Sequence, residues 1–294
     1  MIQFFSYLVN GIGLGSVYAI IALGYSMVYG IAKMLNFAHG DVIMVGAYIS
    51  FCASYYWGLS PVVSVLAAVV VCTVLGLTIE RLAYKPLRQA SSLAVLITAI
   101  GMSYLLQNAA QLVWGANPKN FPAMITLPSV SLFDGRMLIT GSTIVTVLAN
   151  IIIMVALTQV TSRTKMGKAM RAVSEDRGAA ELMGINVNVT ISTTFAIGSA
   201  LAAIAGVLLC STYPVLMPTT GSMPGIKAFT AAVFGGIGSI PGALLGGLLL
   251  GMIEILGKAY VSTELGDALV FAVLIIVLLV RPTGLLGKRV HEKV

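Results

Sequence analysis

Few ionisable side chains sit where they could do chemistry, and each lies in or beside a long apolar run. His39 and Asp41 open one such run, in the string Leu35-Asn36-Phe37-Ala38-His39-Gly40-Asp41. An ionisable group within a membrane span is costly and is a functional candidate by default. Asn36, His39 and Asp41 are therefore candidate pathway or gating residues. The competing reading is that they cap or anchor a helix end near its cytoplasmic side. Nothing places a substrate beside them, so no general acid–base pair is assigned. Glu254 lies in the apolar stretch from Leu248 to Leu256, four residues before Lys258. That spacing predicts an interfacial ion pair. A fourth feature is backbone: Gly235, Gly236 and Gly238 precede Ser239-Ile240-Pro241-Gly242. Free backbone groups at Gly238, Pro241 and Gly242 could line a path, as in the broken helices of transporters.

A further constellation lies in a basic stretch, Arg171-Ala172-Val173-Ser174-Glu175-Asp176-Arg177 onward to Gly184-Ile185. Ser174 is a good N-cap, and Glu175 and Asp176 would then occupy the first turn, where the helix dipole favours negative charge. Arg177 and Glu181 are spaced as an i,i+4 pair, and Gly184 is a natural C-terminal stop. The pattern predicts a short self-capped helix with an apolar stripe of Ala179, Ala180, Leu182 and Met183. Such a helix cannot bury that stripe alone. It either lies on the membrane surface or docks into a groove on a partner.

What is missing excludes whole classes. No GxxxxGK[ST], HExxH, CxxC or GxSxG occurs, so nucleotide, zinc, redox and serine-hydrolase chemistry have no foothold by those routes. Cys52, Cys72 and Cys210 are irregularly spaced within apolar runs and read as small buried side chains, with no metal site. Too few intramembrane charges exist for a proton relay, so pumping would need energy from another subunit. The net charge of +7 does not point to nucleic acid, because the basic residues sit in short gaps between apolar runs.

The elements that must position these residues are membrane helices. The chain has 294 residues, 58% hydrophobic and 9% charged, against roughly 25% charged in soluble domains. So little charge cannot cover a water-facing surface. A lipid-facing chain must satisfy its own backbone, and long runs without alternation select helices. Apolar runs are read at 5–31, 34–57, 61–79, 92–113, 141–160, 190–212, 228–257 and 267–280. No basic n-region or small-residue cleavage site precedes the first run, which reads as a retained span. The expectation is an all-α polytopic bundle of about 8–9 membrane segments in a single domain, 1–294, with one cytoplasmic loop at about 161–189.

Basic gaps belong on the cytoplasmic side. Those at 80–91 and 161–189, with Lys33 and the tail residues Arg281, Lys288, Arg289 and Lys293, carry most of the cations, whereas 114–140 holds only Lys119 and Arg136. Parity then requires 228–257 to enter the membrane and return. Proline and glycine supply the break, so two short helices, about 228–238 and 242–257, should meet near Pro241 as short spans or a re-entrant pair. The N-terminus falls outside and the C-terminus inside. Glycines at GxxxG spacing (Gly11 with Gly15, Gly242 with Gly246, Gly247 with Gly251) favour tight helix packing.

The run from Leu35 to Asp41, continuing through Met44-Val45-Gly46-Ala47-Tyr48, resembles the signature of branched-chain amino-acid ABC transporter permeases. The stretch from Arg171 to Ile185 resembles their ATPase-contacting loop. Ala228-Phe229-Thr230 through Phe234 to Ala243, and the ending Arg281-Pro282-Thr283-Gly284-Leu285, resemble their late segments. The similarity covers nearly the whole chain in order and is greatest to the H-type subunit. It implies an inner-membrane subunit paired with a second homologous permease, two cytoplasmic ATPases and a periplasmic binding protein. Under it, Ser174, Glu175, Asp176, Arg177, Ala180, Glu181, Leu182 and Gly184 form a coupling helix in a cleft of the ATPase. This chain holds no cofactor, ATP and Mg being bound by the partners, and transport proceeds by alternating access. The implied substrates are leucine, isoleucine and valine. Urea or short-amide permeases of similar build are the alternative, and a stand-alone channel or secondary carrier is the alternative of another class.

Overall fold

A computed structural model describes residues 2–132 and 137–287 of the chain. Arg136 and the tail residues Lys288, Arg289 and Lys293 lie outside the described residues. The fold is a helical membrane bundle. Its helices are α1 (Ile2–Ala32), α2 (His39–Tyr55), α3 (Pro61–Ile79), α4 (Ser92–Trp114), α5 (Gly141–Arg163), α6 (Lys165–Glu175), α7 (Arg177–Leu182), α8 (Val187–Thr212), α9 (Ser222–Gly235), α10 (Ile240–Tyr260) and α11 (Gly266–Val280). Six of them (α1, α3, α4, α5, α8 and α10) are long and apolar enough to cross a membrane, and α11 is a shorter apolar helix.

The two ends of the bundle differ in charge. At one end lie Ala32 and Lys33, the turns Glu80–Tyr84 and Lys85–Leu87 that extend α3, the α6–α7 loop, and residues 281–287 packed on Gly236. Arg81, Lys85, Arg88, Arg163, Lys165, Lys168, Arg171 and Arg177 all gather here. At the opposite end, Lys119–Asn120 pairs with Val215–Leu216, and Val130–Leu132 with Met137–Ile139. There Tyr7 meets Tyr260, so α1 starts at this end and α10 finishes at it.

Glycine decides how closely the central helices approach. α1 and α10 run antiparallel with their GxxxG faces together. A Cβ on Gly11 would lie 2.9 Å from Met252 Cα, and one on Gly15 2.8 Å from Leu248 Cα. Any larger side chain at these positions would push the helices apart. α3 and α8 form the equivalent pair on the other side.

The equivalence is general. α1 packs on α10 as α8 packs on α3; α2 rests on α8 as α9 rests on α1; α2 lies against α3 as α9 lies against α10. Tyr18, Gly24 and Glu80 of the first half correspond, at one constant offset along the chain, to Ser192, Gly198 and Glu254 of the second. Since α1 runs toward the basic end and α8 away from it, the halves are an inverted repeat. α5, α6 and α7 link them. Gly24 and Gly198, equivalent to one another, meet where α1 crosses α8.

Several boundaries differ from the sequence reading. The run 34–57 is helical only from His39, because residues 33–38 travel back into the bundle without helical bonds. The first helix of the predicted pair begins at Ser222 rather than 228 and ends at Gly235. The break falls at Gly236–Ser239, with φ of +107° at Gly236 and +90° at Gly238. Pro241 is inside the first turn of α10, capped by Ser239. Proline is tolerated there because its missing N–H is unbonded anyway.

Candidate functional site

Polar groups converge where two of the shorter helices begin. α1 ends at Ala32, Lys33 takes a left-handed φ of 53°, and the chain turns back. Tyr84 Oη donates to Asn36 Oδ1 at 2.8 Å, and the Arg177 guanidinium donates to the Ala32 carbonyl. These bonds hold the returning segment. Helix α2 then starts at His39, whose ring packs 4.6 Å from Tyr25 and against Gly24. Gly24 is eight residues from the end of α1, which puts His39 about 12 Å inside the bundle. His39 and Asp41 therefore lie deep, not near the cytoplasmic helix end that the sequence suggested.

Helix α9 reaches the same depth from the opposite side. Its start abuts the start of α2: a Cβ on Gly40 would lie 2.7 Å from Gly221 O, and one on Gly225 2.9 Å from Gly40 Cα. Only glycines permit this backbone contact. Neither helix start carries a side-chain cap, whereas α4, α5, α6, α7, α8 and α10 all do.

Beside this junction is a cavity of about 340 Å³, within the size of ordinary small-molecule sites. Its polar wall is Asp41, Ser103, Gln107 and Ser222; Tyr25, Phe37, Ile100, Tyr104 and Ile226 supply the apolar wall. Gln107 Nε2 donates to Asp41 Oδ1 at 2.9 Å and lies 3.2 Å from both Ser103 Oγ and Ser222 Oγ. Ile100, Tyr104 and Ile226 are exposed on the outside of this chain, so the cavity opens sideways toward whatever covers α4 and α9. Of the predicted pathway residues, Asp41 alone lines it. Asn36 and His39 shape the segment behind it. Gly238 packs against Gly30 at the basic end, and Gly242 against Gly235, so these and Pro241 form a turn remote from the cavity. Ser103, Gln107 and Ser222 were missed, although the i,i+4 spacing of Ser103 and Gln107 in an otherwise apolar run puts both on one helix face.

Two buried carboxylates brace the halves from opposite ends. Glu80 is ion-paired with Arg88 and accepts from Ser192 Oγ at 2.7 Å. Glu254 meets Lys258 at 2.5 Å, as the spacing predicted, but also Lys227 at 2.8 Å and Tyr18 Oη at 2.8 Å. Lys227 further reaches Asp267 at 2.6 Å. The pair is thus part of a buried network joining α1, α9, α10 and α11, and not an isolated interfacial contact. Lys227 escaped notice because it lay in what reads as a loop at 213–227.

In the loop at the basic end, the chain forms two helices. Ser174 lies in the last turn of α6 and donates to Arg171 O at 2.7 Å. The cap of α7 is Asp176, whose Oδ1 accepts from Ala179 N at 3.0 Å. Asp176 wins because its backbone takes the extended conformation that a cap needs. The stop is as expected: Gly184 has φ +80°, Gly184 N donates to Glu181 O, and Ile185 N to Ala180 O, a Schellman pattern. Arg177 does not pair with Glu181, since its side chain turns to Ala32. Burial, and then the like charge of Arg88, pull its guanidinium below the usual arginine pKa. Ala180 is buried, while Leu182 and Met183 are 90% and 82% exposed.

Comparison with known proteins bears on what this architecture serves. Residues 7–278 match the family model described as branched-chain amino acid transport system, permease component. The chain is 47% identical to the high-affinity branched-chain amino acid transport system permease protein LivH of Salmonella typhimurium, over 100% of this chain and 98% of that one. It is 46% identical to the corresponding permease protein BraD of Pseudomonas aeruginosa, over 98% and 97%. Among solved structures, PsaBC from Streptococcus pneumoniae in complex with Fab superposes with a TM-score of 0.50 at 14% identity, covering 94% of this chain and 92% of that one. At that identity the likeness shows the fold alone.

Proposed function

We propose a transport role for this chain, which belongs to the family of branched-chain amino-acid ABC permease components: with a second homologous permease it forms the path by which leucine, isoleucine and valine cross a bacterial inner membrane. Full-length similarity to LivH and BraD carries this reading. Two cytoplasmic ATPases supply the energy and bind ATP and Mg; a periplasmic binding protein delivers the substrate. The basic end faces the cytoplasm, so the N-terminus is periplasmic and the C-terminus cytoplasmic. Residues 174–184, with Leu182 and Met183 projecting, dock in the ATPase cleft. Arg177 links that helix to the end of α1, and so to the returning segment that carries Asn36 and His39. ATP must favour one permease state over the other for the link to do work. The second permease covers the open side of the cavity at Ile100, Tyr104 and Ile226.

The test is uptake by proteoliposomes holding the whole complex, with labelled leucine and labelled urea in parallel. Leucine accumulation that needs both ATP and the binding protein is expected. Urea accumulation without leucine would overturn the substrate, and uptake without ATP or partners would overturn the importer.

A further inference from the structure

We propose that the cavity between the starts of α2 and α9 is a transient binding site for the amino acid inside the membrane, with Asp41 receiving its ammonium group. This rests on the transport reading above and adds a place and a contact to it.

Three carboxylates are buried among the described residues: Glu80 at 0% exposure, and Asp41 and Glu254 at 1%. Glu80 has Arg88, and Glu254 has Lys227 and Lys258. Asp41 has no lysine, arginine or histidine nitrogen within 4 Å among the described residues; its partner is the neutral amide of Gln107. A buried carboxylate without a counter-charge is a costly arrangement. Twice in this chain that cost is met by a cation from the protein, and here it is left to whatever enters the cavity. An ammonium group would supply that counter-charge.

The rest of the cavity suits the rest of such a molecule. The hydroxyls of Ser103 and Ser222, on the same polar wall, offer hydrogen-bond donors to an α-carboxylate. Phe37, Ile100 and Ile226 offer an apolar wall to a branched side chain. An uncharged solute such as urea would leave Asp41 uncompensated.

The experiment is equilibrium binding of radiolabelled leucine to the purified permease pair with its ATPases, the binding protein having been removed. Isoamylamine (ammonium and branched chain, no carboxylate) and 4-methylpentanoate (carboxylate, no ammonium) serve as competitors. Leucine should bind, isoamylamine should compete, and 4-methylpentanoate should compete far less. Asp41→Asn should weaken leucine by about 10- to 100-fold, the range for losing a charge-assisted hydrogen bond, and abolish competition by isoamylamine. Ile226→Trp, in the apolar wall, should lose leucine while retaining glycine in a permease pair that still co-purifies. Equal competition by the two analogues, or unchanged leucine affinity in Asp41→Asn, would overturn the site. Those outcomes differ from failure of the transport reading, in which the wild-type complex takes up no leucine with ATP and binding protein present.

Discussion

Glu80 and Glu254 solve one problem with different numbers of partners, and the difference is measurable. Glu80 is fully buried with Arg88 as its counter-charge, whereas Glu254 keeps Lys227 if Lys258 is lost. Removing one partner of a buried pair strands the other charge, at a cost of about 3–5 kcal/mol. Lys258 is about one-third exposed and its own removal should cost under about 1 kcal/mol. Arg88→Met should therefore lower the thermal unfolding midpoint in detergent sharply, and Lys258→Met only slightly. Equal midpoints would show that the two carboxylates are not braced as described. Arg177 makes a different kind of contact, to a carbonyl at the end of α1; sequence spacing pointed to Glu181, four residues on, because a sequence cannot show which distant carbonyl is within reach.

At the scale of elements, α7 has six residues and little intrinsic stability, so its cap should matter. Asp176→Ala should cost about 1 kcal/mol, whereas Asp176→Asn keeps a competent cap. In ATP-driven uptake the asparagine variant should outperform the alanine variant; the reverse order would mean that charge and not capping is needed. Leu182→Ser combined with Met183→Ser should leave the permease folded in the membrane and release the ATPases during affinity purification. Retained ATPases would remove the docking role from this helix. At the junction of α2 and α9, a side chain on Gly221 would strike the Gly40 carbonyl, so Gly221→Val should abolish uptake and lower yield. Full-length spans were legible because burial in lipid demands long apolar runs: the runs at 61–79, 92–113, 141–160 and 190–212 correspond to α3, α4, α5 and α8. The shorter helices α2 and α9 were not. Residues 33–38 and 213–221 are apolar enough to pass for span or loop, and hydropathy does not report whether a segment at membrane depth is helical. Asp41 was found by its charge, but its neighbours Gln107 and Ser222 come from distant elements that only the fold brings together.

At the scale of the molecule, the segregation of basic residues to one end predicts orientation. In a background lacking the three native cysteines, Thr263→Cys at the opposite end should react with a membrane-impermeant maleimide added to spheroplasts. Lys168→Cys at the basic end should react only after permeabilisation. The opposite labelling would invert the molecule in the membrane and leave the coupling loop without access to cytoplasmic partners. The two halves, read as an inverted repeat, share a single point at which α1 and α8 cross, Gly24 on Gly198. That crossing is not at the middle of α1. About 33 Å of the helix lies on one side of it and about 12 Å on the other. A rod pivoted so far from its centre is a lever with unequal arms. A tilt of α1 about that fulcrum, carrying with it the α10 helix packed on its long arm, would sweep the far tip nearly three times as far as the tip that Arg177 holds, so that a slight displacement imposed at the basic end would be magnified at the other mouth.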